Sequence, residues 1–235
     1  KQPPPTATSI FPLPDPNTLK AKGDDEQNAA ALARHYSGVS LPPQAQRIHC
    51  DPPIFTIPEF LSPEECSALI SGYRSPQRGV LMSSPTIPGA VSTRTSTTKF
   101  FPTDDEAGKP FRLKVAALFG GEAAAGKLEE TQVVEYRVGQ QFSEHYDTLP
   151  GGGGQRAATV LVYLNDATEG AGGETIFRDL GTRVRPKAGT ALVFFPSFRD
   201  GRVDDRHLHK AETILMGEKF IAQTWVQRND YDGMF

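Results

Sequence analysis

Two spacings of apolar residues divide this chain. In its first half they recur with a helical period. Cys66, Leu69, Ile70 and Tyr73 fall at i, i+3, i+4 and i+7, one face of a helix. Ser62-Pro63-Glu64-Glu65 opens that helix with a hydroxyl cap, a proline in the first turn and a glutamate three residues after the cap. A second helix is expected from Pro110 to Phe119, with Phe111, Val115, Leu118 and Phe119 on its apolar side and Gly120-Gly121 ending it. A shorter one is expected over residues 24–36, opened by Asp24 and Gln27. Between the two longer helices, residues 75–98 are rich in Ser, Thr, Pro and Gly and read as a mobile loop.

From Thr131 the period changes to that of strands. Thr131–Val138, Ala157–Leu164, Glu174–Phe177, Ala191–Phe195 and Lys219–Val226 are short, β-branched or aromatic, and separated by turn residues. Closely spaced strands of this kind predict an antiparallel double sheet. The expected class is α+β, mainly β: a jelly-roll (double-stranded β-helix) core with the N-terminal helices packed on one sheet. Residues 1–45 read as a proline-rich arm carrying the short helix, and residues 46–235 as the folded domain.

Composition narrows the partners. A chain of 235 residues with 37% hydrophobic content can bury a real core, and a net charge of −3 with no basic stripe argues against nucleic acid. No apolar run is long enough to span a bilayer. Two cysteines, Cys50 and Cys66, are too few for a disulfide scaffold, and either a pair or two separate thiols fits. The chain starts at Lys1 without Met or an apolar leader, so a preceding portion, with any address it carried, is expected.

The candidate chemistry lies in the strands. His145 and Asp147 stand two apart, on one side of an extended segment, with His207 and His209 much later in the chain. Two imidazoles and a carboxylate are the set that holds non-haem Fe(II) by one face and leaves other positions open. Lys219 is a candidate anchor for the far carboxylate of an oxo-acid. On the strand from Lys219, residues 219, 221, 223, 225 and 227 share one face, so Lys219 and Trp225 point the same way.

An ordered set of motifs accompanies these residues. It runs from Phe60-Leu61-Ser62-Pro63-Glu64-Glu65-Cys66 and Arg94-Thr95-Ser96 to Tyr136-Arg137-Val138-Gly139-Gln140 and His145-Tyr146-Asp147. Gly154-Gln155-Arg156, Tyr163-Leu164-Asn165 and Gly172-Gly173-Glu174-Thr175-Ile176-Phe177 follow. Then come Pro186, Gly189-Thr190-Ala191-Leu192, Leu208-His209 and Gly217-Glu218-Lys219 with Trp225. In this order they resemble the 2-oxoglutarate- and Fe(II)-dependent dioxygenases of the prolyl 4-hydroxylase-like family, over residues 50–228.

The resemblance implies that His145, Asp147 and His209 hold Fe(II), with His209 chosen over His207 because Leu208-His209 and the step to Lys219 match the family. It implies that Lys219, Tyr136 and Thr175 bind 2-oxoglutarate, and that Arg94, Arg156 and Trp225 line the substrate side. Dioxygen is the implied oxidant, and ascorbate the implied reductant. The implied reaction couples decarboxylation of 2-oxoglutarate, giving succinate and CO2, to C–H hydroxylation of a peptide or protein, in the first place a proline-rich one. The family also points toward the secretory pathway or endoplasmic reticulum.

This chain departs from the family on the substrate side. Phe142 stands where relatives commonly have Tyr, and Gln227 where they have His or Arg. Lys210-Ala211-Glu212-Thr213 replaces a Gly-Cys-Pro pattern. Two alternatives therefore accompany the prolyl reading: the same chemistry on a metabolite, free amino acid or other side chain, and a non-catalytic jelly-roll binding module. The Gly151–Gly154 run is read as a turn beside the site rather than a phosphate loop, for no Gly-Lys-Ser/Thr follows it.

Overall fold

The computed structural model describes residues 25–83, 94–148 and 155–229. The proline-rich stretch of residues 1–20, Asp24 and the Gly151–Gly154 turn lie outside them. In chain order the elements are α1 (Asp25–His35), β1 (Gln46–His49), β2 (Ile54–Ile57), α2 (Pro63–Arg74), β3 (Val80–Ser83), β4 (Thr97–Phe101), α3 (Lys109–Leu118), α4 (Glu122–Ala125) and β5 (Thr131–Arg137). Then follow β6 (Phe142–His145), β7 (Arg156–Tyr163), β8 (Thr175–Phe177), β9 (Thr182–Val184), β10 (Ala191–Phe194), β11 (His209–Ala211) and β12 (Glu218–Gln227).

They form an antiparallel sandwich. The larger sheet has the order β1-β2-β10-β7-β12-β5-β4-β3, the smaller β6-β11-β8-β9. β7 and β12 form the middle of the larger sheet, and alternation along them sorts side chains into two cores. Ala158, Val160, Val162, Phe220, Ala222 and Val226 meet the helices. Leu161, Tyr163 and Ile221 point between the sheets, with Tyr136, Phe177 and Phe194. With both faces covered, every residue of β7 is buried.

The helices follow their sequence signals. α2 begins with the expected capping box, in which the Ser62 hydroxyl accepts from the Glu65 amide and the Glu65 carboxylate accepts from the Ser62 amide. α3 buries Phe111, Val115 and Leu118. α1 lies against the body through Leu32, His35 and Tyr36. Among the described residues no helix is long and apolar enough to cross a membrane. Cys50 and Cys66 are not joined in a disulfide.

One expectation is corrected. Within residues 75–98, read as a loop, β3 and the start of β4 extend the larger sheet, with Leu81 opposite Lys99 and Thr98 opposite Val134. Hydroxyl-rich composition suggested a loop, but Thr is β-branched and fits a pleated surface. The loop reading of residues 84–93 lies outside the described residues.

Candidate active site

Strand pairing brings the three ligating residues together. His145 ends β6 and lies directly opposite His209, the first residue of β11. Asp147 follows two residues on, just past the strand. One ligand atom from each of the three lies within 4.8 Å of the others. Asp147 Oδ1 is 3.6 Å from His145 Nε2 and 3.9 Å from His209 Nε2.

Each ligand is held from behind. His145 Nδ1 lies 2.8 Å from the Ser143 carbonyl, and His209 Nδ1 2.9 Å from the His207 carbonyl. A carbonyl accepts only from N–H, so both rings carry a proton on Nδ1 and turn Nε2 toward the cluster. The Thr159 hydroxyl donates to Asp147 Oδ2 at 2.7 Å, leaving Oδ1 for the cluster. Phe142 stacks on His145, with centroids 3.5 Å apart and planes 11° from parallel.

Electrostatics prepare the ligands. Burial, then the nearby His209, pushes His145 down to about 4, so the imidazole is neutral at physiological pH. Burial alone would raise the Asp147 carboxyl, but His209, His145, Arg156 and the Thr159 hydroxyl hold it below its ordinary value. Two imidazoles and a carboxylate suit Fe(II), so the donor set fits that ion.

The cavity beside them holds about 240 Å³, with Lys219, Tyr136, Thr175 and Trp225 on its wall. Lys219 is 2% exposed and donates to the Gly173 carbonyl at 2.7 Å. Its ammonium lies 5.2 Å from the Tyr136 ring centre and 5.6 Å from that of Tyr163. Among the described residues no carboxylate forms an ion pair with it. Burial therefore pushes Lys219 down to about 7, against a small opposing pull from Glu212. A buried cation without a counter-ion fits the far carboxylate of 2-oxoglutarate.

Gly173 makes this approach possible. Its φ is +78°, and an added Cβ would come 2.6 Å from Ile214 Cδ1 and 3.4 Å from Lys219 Cδ. Tyr163, not foreseen as a site residue, donates its hydroxyl to Thr175 Oγ1 at 2.8 Å. The period-2 pattern of β7, which puts 159, 161 and 163 on one face, was the signal for it.

The structure beneath Asp147 and Trp225 is built around a glutamate that sequence reasoning missed. Glu129 and Arg156 form a buried two-pronged pair, with both N–O distances 2.6 Å. Arg156 also donates to the Asp147 carbonyl at 2.9 Å, and its guanidinium lies 3.6 Å from the Trp225 ring centre. Gln227 donates to the same glutamate at 3.1 Å. Arg156, expected on the substrate side, lines the cavity and also spends three N–H bonds on the protein itself. Arg94 lines the cavity nearer Phe142 and donates to Ser96 and Thr98. Glu129→Ala would leave Arg156 charged and buried without its partner. An expected loss of about 3–5 kcal/mol follows, to be read as a fall in denaturation midpoint.

Comparison with known proteins agrees with this geometry. A profile of the 2OG-Fe(II) oxygenase superfamily matches residues 131–227. The chain is 24% identical to prolyl 4-hydroxylase 13 of Arabidopsis thaliana, over 92% of this chain and 84% of that protein. It is 28% identical to prolyl 4-hydroxylase 2 of the same plant, over 88% and 77%. The solved 2OG complex of the viral collagen prolyl hydroxylase vCPH from Paramecium Bursaria Chlorella virus-1 superposes with a TM-score of 0.60 and 30% identity, over 74% of this chain and 95% of that one. With the same sandwich, matched strands and a metal-type triad at the expected place, the chain belongs to the 2OG-Fe(II) oxygenase superfamily, as a prolyl 4-hydroxylase-like member.

Proposed function

We propose that this protein is a 2-oxoglutarate- and Fe(II)-dependent hydroxylase of prolyl residues in a peptide or protein. His145, Asp147 and His209 hold the metal, and Lys219, Tyr136 and Thr175 receive the dicarboxylate. The observation that carries this reading is the meeting, in one cavity, of the His–Asp–His cluster and a buried Lys219 that has no carboxylate partner among the described residues. When bound, Fe(II) with 2-oxoglutarate and dioxygen supplies the oxidation, releasing succinate and CO2 and delivering one oxygen atom to a C–H bond.

The protein's own task is placement. The Ser143 and His207 carbonyls fix which imidazole nitrogen faces the metal position, and Thr159 fixes which carboxylate oxygen does. Lys219 sets the depth of the dicarboxylate, with the neighbouring Tyr136 ring and Thr175 on the cavity wall. Leu161, Ile221 and Trp225 line the cavity with apolar surface that keeps water away from the reacting positions. Arg94 sits where a peptide would enter, beside Phe142.

Purified protein given Fe(II), ascorbate, 2-oxoglutarate and a proline-rich peptide is expected to release succinate. The peptide should gain the mass of one oxygen, located on proline by fragmentation. Succinate coupled to oxidation of some other compound, with every prolyl peptide left unchanged, would move the chain to a second reading: the same chemistry on a non-prolyl substrate. Two observations favour that alternative. Phe142 has no hydroxyl to offer, and the Gln227 amide is engaged with Glu129.

A further inference from the structure

We infer that α1, which lies outside the residues matched by the family profile, positions the metal ligand His209 through the pair His35–Asp204. This rests on the metal reading of the site. Both side chains are essentially sealed from solvent, at 0% and 1% exposure, and His35 Nε2 lies 2.8 Å from Asp204 Oδ2. The other ring nitrogen of His35 lies 2.9 Å from the Ala31 carbonyl one turn back, and the ring stacks on Phe198 at 4.7 Å. The orientation of His35 is thus fixed on one side by its own helix and on the other by Phe198 of the body.

From Asp204 the path runs a few residues to the metal position. Its carboxylate accepts from the Arg206 amide at 3.2 Å and caps the tight turn Asp205–His207. The Arg206 guanidinium grips the same carboxylate at 2.7 and 2.6 Å. The Asp204 carbonyl accepts from the His207 amide at 3.2 Å, closing the turn. The next link is the His207 carbonyl, which takes the Nδ1 proton of His209. Displacing Asp204 therefore shifts the one acceptor that aims His209 Nε2. A second tie, Arg34 with Arg206 on either side of Asp51, joins the same helix to the same turn.

A buried carboxylate has reason to hold this turn only when its oxygens are satisfied. Burial favours its neutral form, yet the bonds from His35 and Arg206 hold Asp204 well below the usual carboxylate range. Removing the imidazole leaves Oδ2 with the hydrogen bond from Arg206, the His207 ring standing 3.8 Å off, and the turn follows Arg206 toward the surface. His35 is accordingly a positioning residue: it touches neither metal nor substrate and acts on both through His209.

The test is the affinity of the full chain for Co(II), titrated by the visible absorption of the bound ion. His35→Phe keeps the ring and its stack on Phe198 but cuts the bond to Asp204, and should weaken Co(II) about 10- to 100-fold. His35→Gln restores a donor and should recover most of that loss. Leu69→Ala, which empties part of the helix-side core, should lower the denaturation midpoint yet leave Co(II) affinity within about twofold. Equal affinity in His35→Phe and the parent would overturn the inference, as would a matching loss in Leu69→Ala. Should His35→Phe not fold, Asp204→Asn decides on the same readout, with a loss expected and unchanged affinity overturning. Failure of the parent itself to bind Co(II) would instead strike at the metal reading.

Discussion

His209→Ala is expected to lower succinate release by ~1000-fold or more, the rate equivalent of the several kcal/mol that one bound metal supplies. His207→Leu, two residues away, should leave turnover within about threefold, since the backbone carbonyl of His207, and not its ring, serves His209. The contrast follows from where the two rings stand. The His209 Nε2 is in the cluster, whereas the His207 ring is buried beside Phe177 and Phe194, makes no hydrogen bond among the described residues, and has its Nδ1 3.8 Å from Asp204 Oδ2. Leucine suits the aromatic side of that surrounding, and the His207 carbonyl, which serves His209, is untouched by the change. Turnover lost in His207→Leu and kept in His209→Ala would reverse the ligand assignment.

Lys219→Met is the second large effect, with two opposed parts. The affinity for 2-oxoglutarate should fall by ~100-fold or more, because breaking a buried charge pair costs roughly 3–5 kcal/mol. Without cosubstrate the variant should nevertheless unfold at a higher temperature than the parent, since a lone buried cation is exchanged for an apolar chain of similar length. That gain should be greatest below pH 7. There the lysine is charged in both folded and unfolded protein, and the full cost of burying it is present. Between about 7, the folded value, and the ordinary 10.5, stability of the parent rises with pH because the folded state sheds its proton first.

The same shift sets the pH dependence of binding. Below pH 7 the free protein already carries the proton that the dicarboxylate requires. Above it, binding must take up about one proton, and the dissociation constant should weaken by up to ~10-fold per pH unit. Calorimetry in two buffers of different ionisation enthalpy reads this uptake directly. Lys219→Met should show none near that pH attributable to this site.

Residue order revealed much of this molecule, for identifiable reasons. The helix carrying Cys66 to Tyr73 and the strand from Lys219 have whole periods of apolar spacing, so their buried faces could be read directly. His145, Asp147 and Lys219 stood out as candidates because metal and anion sites need a particular side chain at a particular register. Glu129 was not. It is one of two successive glutamates, and only the fold shows that it turns inward to meet Arg156. His35 and Asp204 stand 169 residues apart, with no local pattern linking them. β3 and β4 were hidden by a composition that strands and loops share. Local signals carry periodicity and motif; pairing between distant polar residues is decided by packing.

One consequence lies in β12. Its neighbours fix Lys219 opposite Tyr136 and Ile221 opposite Tyr163, while Phe220 faces the helices. Inserting or deleting one amino acid here would exchange inside for outside along the whole segment. An ammonium would land among greasy helix contacts and a phenyl ring in the cosubstrate's berth, so evolution cannot retune this catalyst by changing the length of its central strand.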